Sequence, residues 1–143
     1  MNKKGFTLIE LLVVIAIIGL LSTLAVVALG SARQKARDAK RVSDLKQIQT
    51  ALELYYTDKN AYPPAPNPNV LGGAAAGCLD SSGFKVNGCV KPIYMGLIPK
   101  DPSEGQTYTY AVAADSYTVN ATLEGDVNGL TGAIKLTPSG MSL

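Results

Sequence analysis

The chain has 143 residues, of which 47% are hydrophobic and 17% are charged, and its formal net charge is +2. This composition is too apolar for a disordered protein and too poor in charge for a coiled coil, and the length suits one domain. The sequence has two Cys and no His, so it lacks the commonest general base and the commonest zinc ligand. Most metalloenzymes and most hydrolases with a Ser-His-Asp triad are therefore excluded.

Residues 6–30 form an apolar segment in which Glu10 is the only ionisable residue. A helix of this length spans roughly 37 Å, enough to cross a hydrocarbon core of about 30 Å. The segment therefore predicts a membrane helix or an export signal. A secretory signal peptide would be cut after this segment, at the small residues 28–31, and discarded. That interpretation leaves Glu10 unexplained, although ionisable groups inside a membrane are usually functional.

The helical pattern continues beyond the apolar segment, because residues 32–58 contain neither Pro nor Gly. Apolar residues recur there at spacings of three and four, which indicates one buried face of an amphipathic helix. The predicted face consists of Val42, Leu45, Ile48, Leu52 and Tyr55. The residues expected mostly off that face are Arg41, Asp44, Lys46 and Glu53.

The helix should end between Asp58 and Asn60, because Pro63 and Pro64 follow. If it is continuous from Phe6, it is about 80 Å long. A small domain cannot bury a helix of that length. We therefore expect half of the helix to lie in a membrane or against another subunit.

The remainder of the chain predicts an irregular connection followed by strands. Residues 62–102 are rich in Pro, Gly and Asn, which favours irregular structure. The predicted strands, rich in Thr, Tyr and Val in the first two, are 107–113, 116–123 and 133–137, with a turn at Ala114-Asp115. Three such strands form an antiparallel meander whose apolar face can pack on the helix. The fold class is therefore α+β, with a long N-terminal helix packed on a small antiparallel sheet.

The first residues of the chain carry a specific motif. Residues 3–10 read Lys-Lys-Gly-Phe-Thr-Leu-Ile-Glu, and this run resembles the prepilin signal of type IV pilins and of type II secretion and competence pseudopilins. The resemblance implies that a membrane-embedded peptidase cuts between Gly5 and Phe6 on the cytoplasmic side and then methylates the new amine of Phe6. The apolar helix is then retained. The similarity extends to Tyr62-Pro63 and to residues 97–102.

The resemblance also implies an organisation and a structural, non-enzymatic function. The implied parts are a leader (1–5), a membrane-spanning and polymerising half-helix (6–30), an amphipathic half-helix (31–60) and a globular head (61–143). The implied partners are further copies of the chain, the prepilin peptidase, an assembly platform in the inner membrane, and lipid. The subunit would cross the bacterial inner membrane once with its N-terminus in the cytoplasm. Its exported head would then join a filament in the envelope or at the cell surface.

A different class of function stays open on the sequence alone. The chain could be a small secreted binding module with an ordinary signal peptide cut after Gly30. The N-terminus of the mature protein separates the two hypotheses, because it would be Phe6 for a pilin-like subunit and Ser31 for a secreted module.

Glu10 has a chemical function if the leader is removed at Gly5. Cleavage gives Phe6 a positively charged amine, and a bundle of stacked helices can place that amine beside Glu10 of a neighbouring subunit. Opposite charges at short range offset the cost of burying each other and fix the axial register. The alternative is that Glu10 lies at the membrane interface and reaches water.

A basic segment follows the apolar one, with two acids among six bases. Its members are Arg33, Lys35, Arg37, Lys40, Arg41 and Lys46, with Asp38 and Asp44. Such a segment favours the cytoplasm under the positive-inside rule, but long domains translocate largely regardless of charge. We expect a solvated helix face partly paired with the two acids. DNA binding in a competence pilus is the alternative, but nucleic acid is not expected because no aromatic residue interleaves with the bases.

Two features of the predicted head have competing interpretations. In an exported head we expect Cys78 and Cys89 to form a disulfide worth roughly 2–4 kcal/mol, whereas a cytosolic pair would be reduced. Their spacing does not fit a Cys-x-x-Cys redox motif. Asp126 and Asn128 resemble part of a calcium loop that lacks the remaining ligands, and a hairpin turn with positive φ at Asn128-Gly129 is the favoured alternative. No other cofactor is expected.

Overall fold

A computed structural model describes residues 5–143, which form one helix and eight strands. The helix α1 is Leu8–Lys59, 52 residues long, and it continues without interruption through Gly19 and Gly30. The strands are β1 (Val70–Leu71), β2 (Cys78–Asp80), β3 (Gly83–Lys85), β4 (Ile93–Met95), β5 (Tyr108–Ala113), β6 (Ser116–Thr122), β7 (Ala133–Thr137) and β8 (Gly140–Ser142). The chain divides into two compact units, one ending at Gln34 and the other Lys35–Leu143. We call Lys35–Leu143 the head unit.

The strands of the head unit form two antiparallel sheets. The larger sheet has the order β1-β5-β6-β7-β8, and the smaller has the order β3-β2-β4. The predicted meander is confirmed, since β5, β6 and β7 follow one another and match their predicted limits to within one residue. The sequence did not predict the edge strands β1 and β8. The predicted end of the helix is also confirmed, because α1 ends at Lys59.

The core of the head unit lies between α1 and the larger sheet. The predicted helix face is confirmed: Leu45, Ile48 and Leu52 are buried, and they belong to one cluster with buried residues of the sheet. Residues of β6 alternate between buried and exposed positions, as expected when one face of a sheet is covered. The α+β fold class predicted from the sequence is therefore confirmed.

Two structural expectations were wrong. Residues 62–102 are not an irregular connection, because they contain β1 and the whole smaller sheet. Those strands have only two or three residues each, too few to produce an alternating pattern. Arg41 and Asp44 are not off the buried face of α1, since they are only 0% and 4% exposed. Both are buried because the head supplies partners for their charges.

Candidate functional site

The predicted cleavage site lies just before α1. Gly5 and Phe6 are both exposed, and a Cβ built on Gly5 would meet no other atom within 4 Å. The peptide bond between them is therefore accessible within the described part of the chain. The basic pair Lys3-Lys4 and the rest of the predicted leader before Gly5 lie outside the described residues.

Glu10 forms a capping box with Thr7 at the start of α1. The Thr7 backbone N–H donates to Glu10 Oε2 over 2.7 Å, and the Glu10 N–H donates to Thr7 Oγ1 over 3.3 Å. The Thr7 hydroxyl also donates to Glu10 Oε2 at 2.7 Å. Such a box satisfies two backbone donors that the first helical turn leaves unpaired. Glu10 thus has a local structural function besides any pairing between subunits.

The first half of α1 is apolar and exposed. The large apolar side chains of residues 8–29 are all exposed in the described chain. The helix is long and apolar enough to cross a membrane, a test that an N-terminal signal sequence also passes. An exposed apolar surface of this extent needs lipid or further protein around it.

A buried arginine connects the second half of α1 to the loops of the head. The Arg41 guanidinium donates two hydrogen bonds of 2.8 Å to the Asp101 carboxylate, one of 2.7 Å to Asp38 and one of 2.8 Å to Glu124. It also donates to Ser103 Oγ at 2.7 Å. The pKa of Arg41 is raised, first by the hydrogen bond to Asp101. This cluster joins the helix to two loops that are remote in sequence, and we call it the Arg41 cluster.

The acids of the Arg41 cluster are held by more than charge. Asp38 accepts the backbone N–H groups of Glu124 and Gly125 at 3.0 and 2.8 Å, so its carboxylate also fixes the end of the larger sheet. Arg37 forms a bidentate pair with Glu124. Hydrogen bonds from Arg37, and next from Arg41, lower the pKa of Glu124.

The basic segment is therefore not one solvated face, and that expectation was wrong for Arg41 and Asp44. Asp44 is buried because it accepts a hydrogen bond from Tyr108 Oη at 2.9 Å and pairs with Lys40 at 3.1 Å. Pairing of the bases with Asp38 and Asp44 was predicted, and both acids form such pairs. Arg33, Lys35 and Lys46 are exposed. Arg41 has no surface left with which to contact a phosphate.

The disulfide loop is organised around a second buried acid. Cys78 and Cys89 form a disulfide with an S–S distance of 2.08 Å. Within the loop that it closes, Asp80 is 0% exposed and pairs with Lys85 at 2.8 Å. Asp80 also accepts the backbone N–H groups of Ser82 and Val90 at 2.8 and 3.0 Å. These contacts, that of Lys85 first, lower the pKa of Asp80.

The segment that contains Asp126 and Asn128, the two candidate calcium ligands, forms a tight turn. Asn128 and Gly129 have φ angles of 55° and 84°, and Gly129 N–H donates to Asp126 Oδ1 at 3.2 Å. The positive φ angles match the hairpin alternative. No group of three or more His, Cys, Asp or Glu side chains within residues 5–143 is arranged to hold a metal ion. Calcium binding by Asp126 and Asn128 stays a hypothesis.

The sequence missed several residues of these sites. Thr7 could have been found, because Thr-x-x-Glu before an apolar segment is the capping-box pattern. Asp101, Ser103 and Glu124 could not, since 60 to 83 residues separate them from Arg41. The structure brings Cys78 to Cys89 and Asp126 close to Asn128. It places Gly5, Phe6 and Glu10 together at the start of α1.

Comparisons with known proteins agree with these features. The family profile described as "Prokaryotic N-terminal methylation motif" matches residues 1–30. The type II secretion system core protein G of Escherichia coli K12 is 44% identical over 101 residues, which cover 71% of this chain and 67% of that protein. The type IV wide pilus major component PilA4 of Thermus thermophilus is 44% identical over 61 residues, covering 43% of this chain and 47% of PilA4. No solved structure gives a significant match.

A further relative is matched over a shorter stretch. The core protein G of Pectobacterium carotovorum is 44% identical over 62 residues, which cover 43% of this chain and 40% of that relative. The chain therefore spans less than half the length of that relative.

The chain combines the methylation motif with an apolar first half of α1 and an α+β head unit. These features define a pilin-like protein. With the similarity to core protein G over two thirds of that protein's length, the chain belongs to the family of type IV pilins and type II secretion pseudopilins.

Proposed function

We propose that this chain is a structural subunit that is cut after Gly5, methylated at Phe6 and polymerised through its apolar helix into a filament of the type IV pilus or type II secretion kind. The observation that carries the proposal is the exposed apolar half of α1 behind the methylation motif. The role is structural, so the energy for assembly comes from other components. The partners are further copies, a prepilin peptidase, an assembly platform in the inner membrane, and lipid.

Before assembly, the subunit crosses the inner membrane once, with its N-terminus in the cytoplasm and its head exported. This orientation places the peptide bond between Gly5 and Phe6 at the cytoplasmic face, where a membrane-embedded peptidase has access to it. It also places the head in an oxidising compartment, which suits the Cys78–Cys89 disulfide.

Glu10 is proposed to contact the Phe6 amine of a neighbouring subunit in the filament. Both hydrogen bonds that Thr7 donates to the Glu10 carboxylate go to Oε2, so Oε1 takes no part in the capping box. The carboxylate can therefore cap its own helix and accept an amine at once. In the low dielectric between packed helices, a buried charge without its partner is costly. Only a stagger that places Glu10 beside the amine avoids that cost, so the pair fixes the axial stagger.

Substitutions at Glu10 separate the capping function from the pairing function. Glu10→Gln keeps a hydrogen-bond acceptor for the cap but removes the charge, and Thr7→Val removes the capping hydroxyl but keeps the charge. We expect Glu10→Gln and Glu10→Val to insert into the membrane but to reduce filament number strongly. Glu10→Asp should be intermediate, because it keeps the charge and shortens the reach.

The measurement is the number and length of filaments in a host that carries the assembly apparatus, with membrane insertion measured in parallel. Thr7→Val is the matched control and should assemble nearly normally. In cells that express both chains, Glu10→Val subunits should enter wild-type filaments poorly. Filaments of wild-type number and length from Glu10→Val would contradict the pairing between amine and carboxylate.

Processing is tested at Gly5. A side chain on the residue before the cut would obstruct a peptidase that must approach the backbone closely, and Gly alone has none. We expect Gly5→Val to stay uncut in the membrane and to form no filaments. Normal filaments from the uncut chain would contradict the proposed function.

A further inference from the structure

A groove in the head unit collects exposed apolar side chains. It lies beside residues 40–47 of α1, between the disulfide loop and the segment 96–102, and has a volume of about 1060 Å³. Within Lys35–Leu143, the exposed large apolar side chains other than Leu54 and Leu143 lie in this groove or next to it. They are Val86, Val90, Ile93 and Leu97, of which Leu97 is 79% exposed. These side chains give the groove an apolar surface on which another segment can pack.

The accessible charge of the groove is positive. Its two acids, Asp44 and Asp101, have side chains only 5% and 1% exposed, and they are engaged by Lys40 and Arg41. Lys100 is exposed and forms no ion pair with any described residue. The groove therefore fits a short apolar segment that carries a carboxylate.

The hairpin turn between β5 and β6 has that chemistry. Ala113 pairs with Ser116, so Ala114 and Asp115 are the two central residues of the turn, and both are exposed. Ala114 has a φ of 48°, whereas Asp115 is not among the residues with positive φ. A positive φ at the first central position alone is typical of a type II′ turn, which favours Gly there.

The turn thus keeps a strained Ala where Gly would be more stable. Backbone strain of this kind is concentrated at functional sites. Ala114 and the adjoining Asp115 are both exposed, and Asp115 forms no ion pair within the described chain.

The groove and the turn lie at opposite ends of the larger sheet. Tyr108, the first residue of β5, bonds Asp44 in the groove wall. The turn follows β5 and is about 17 Å farther along at roughly 3.4 Å per residue. A contact between this turn of one copy and this groove of another would join two different surfaces, so it would be head-to-tail. Such head-to-tail contacts generate open helical filaments.

We propose that the Ala114-Asp115 turn of one subunit docks into this groove of a neighbouring subunit in the filament. The Asp115 carboxylate pairs with the Lys100 ammonium group, and the Ala114 methyl group packs on Leu97. This inference rests on the proposed filament function, and it adds a specific contact between heads to the contact between helices.

Charge reversal tests the contact. Lys100→Glu and Asp115→Lys should each reduce filament number at least tenfold, and the double variant should restore it because the pair is re-formed with opposite polarity. The matched control is Lys135→Glu on the exposed face of β7, which should assemble normally. Single variants at the wild-type level, or a double variant no better than the single ones, would overturn the inference.

The strained residue gives a second measurement. Ala114→Gly should raise the melting temperature of the full chain in detergent, because it relieves the positive φ. The same substitution should lower filament number several-fold, because it removes the methyl group from the contact. A variant that is more stable and also assembles normally would overturn the function assigned to Ala114.

Cross-linking tests proximity directly. Residues 78 and 89 are the two Cys of the chain and are joined to each other, so introduced Cys residues can be followed without interference. Filaments of a Leu97→Cys, Ala114→Cys double variant should give a ladder of multimers on oxidation, and each single variant should not. A ladder from a Lys135→Cys, Ala114→Cys control without one from the test pair would overturn the inference. If the wild-type chain forms no filaments at all, the proposed function fails, and the inference fails with it.

Discussion

Replacement of Arg41 by Met should destabilise the head more than any other removal of one charge from α1. Met retains much of the apolar volume of the side chain but none of its hydrogen bonds. The change would leave Asp38 and Asp101, each with a side chain 1% exposed, without their cation. Glu124 is less affected because Arg37 remains beside it.

The magnitude follows from what remains around the two acids. Removal of one partner of a buried ion pair costs about 3–5 kcal/mol. Asp38 would keep two backbone N–H donors, and Asp101 would keep that of Ser103 at 2.8 Å. We therefore expect a loss near the lower end, about 3 kcal/mol. At roughly 4 °C per kcal/mol for a domain of this size, the melting temperature should fall by about 12 °C.

The assay is thermal unfolding of the full chain in detergent, followed by the near-ultraviolet circular dichroism of tyrosine. All seven Tyr lie between Tyr55 and Tyr117 and Trp is absent, so the signal reports the head alone. Lys46→Met is the matched control, since Lys46 is exposed on the same helix, and it should melt within a few degrees of the wild type.

A variant that melts like the control at neutral pH would refute the conclusion that the Arg41 cluster holds the second half of α1 to the loops of the head unit.

Three further outcomes follow from the head unit. Replacement of both Cys78 and Cys89 by Ala should lower its stability by about 2–4 kcal/mol while membrane insertion is unchanged; an unaltered melting curve would show that the Asp80 contacts suffice. The head should also lose stability in acid, because the pKa values of Glu124 and Asp80 are both lowered in the folded state. The contribution of these two carboxylates to the free energy of unfolding is complete above the ordinary carboxyl pKa. It is lost as the pH falls through their folded-state pKa values. Glu124→Gln should make the acid side of the stability profile shallower, and an unchanged slope would contradict the pairing with Arg37 and Arg41. The hydrogen bond that Tyr94 donates to Asp58 raises the pKa of Tyr94 to about 12, so spectrophotometric titration should find a tyrosine that ionises in this range, and Asp58→Asn should lower that pKa towards 10.

The sequence predicted the elements whose patterns are local and periodic. Leu45, Ile48 and Leu52 recur at helical spacing, and the Thr- and Tyr-rich strands β5 and β6 are long enough to be recognised. The smaller sheet escaped prediction because its strands are three residues long, too short for a recognisable pattern, and because the disulfide and the Asp80 contacts that hold its loop join residues apart in sequence. Strand β8, with three residues at the end of the chain, has no pattern of its own.

Charged residues on a helix were the least predictable feature. Arg41 and Lys46 have the same charge and lie on the same amphipathic helix, yet one is buried and the other exposed. The difference depends on acids more than 50 residues away along the chain, which no local pattern reports. The functional motif was recognisable because residues 3–10 are contiguous, whereas the Arg41 cluster is assembled by the fold.

The proposed processing retains the apolar helix in a mature protein that begins at a methylated Phe6. Intact-mass measurement and N-terminal sequencing of the mature protein, purified from a host with a prepilin peptidase, test it most directly. We expect a chain that begins at Phe6, with one added methyl group on the amine of Phe6 and with two fewer hydrogens from the disulfide. A mature chain that begins at Ser31 would contradict the proposed processing and would identify a secreted module whose apolar segment is an ordinary signal peptide.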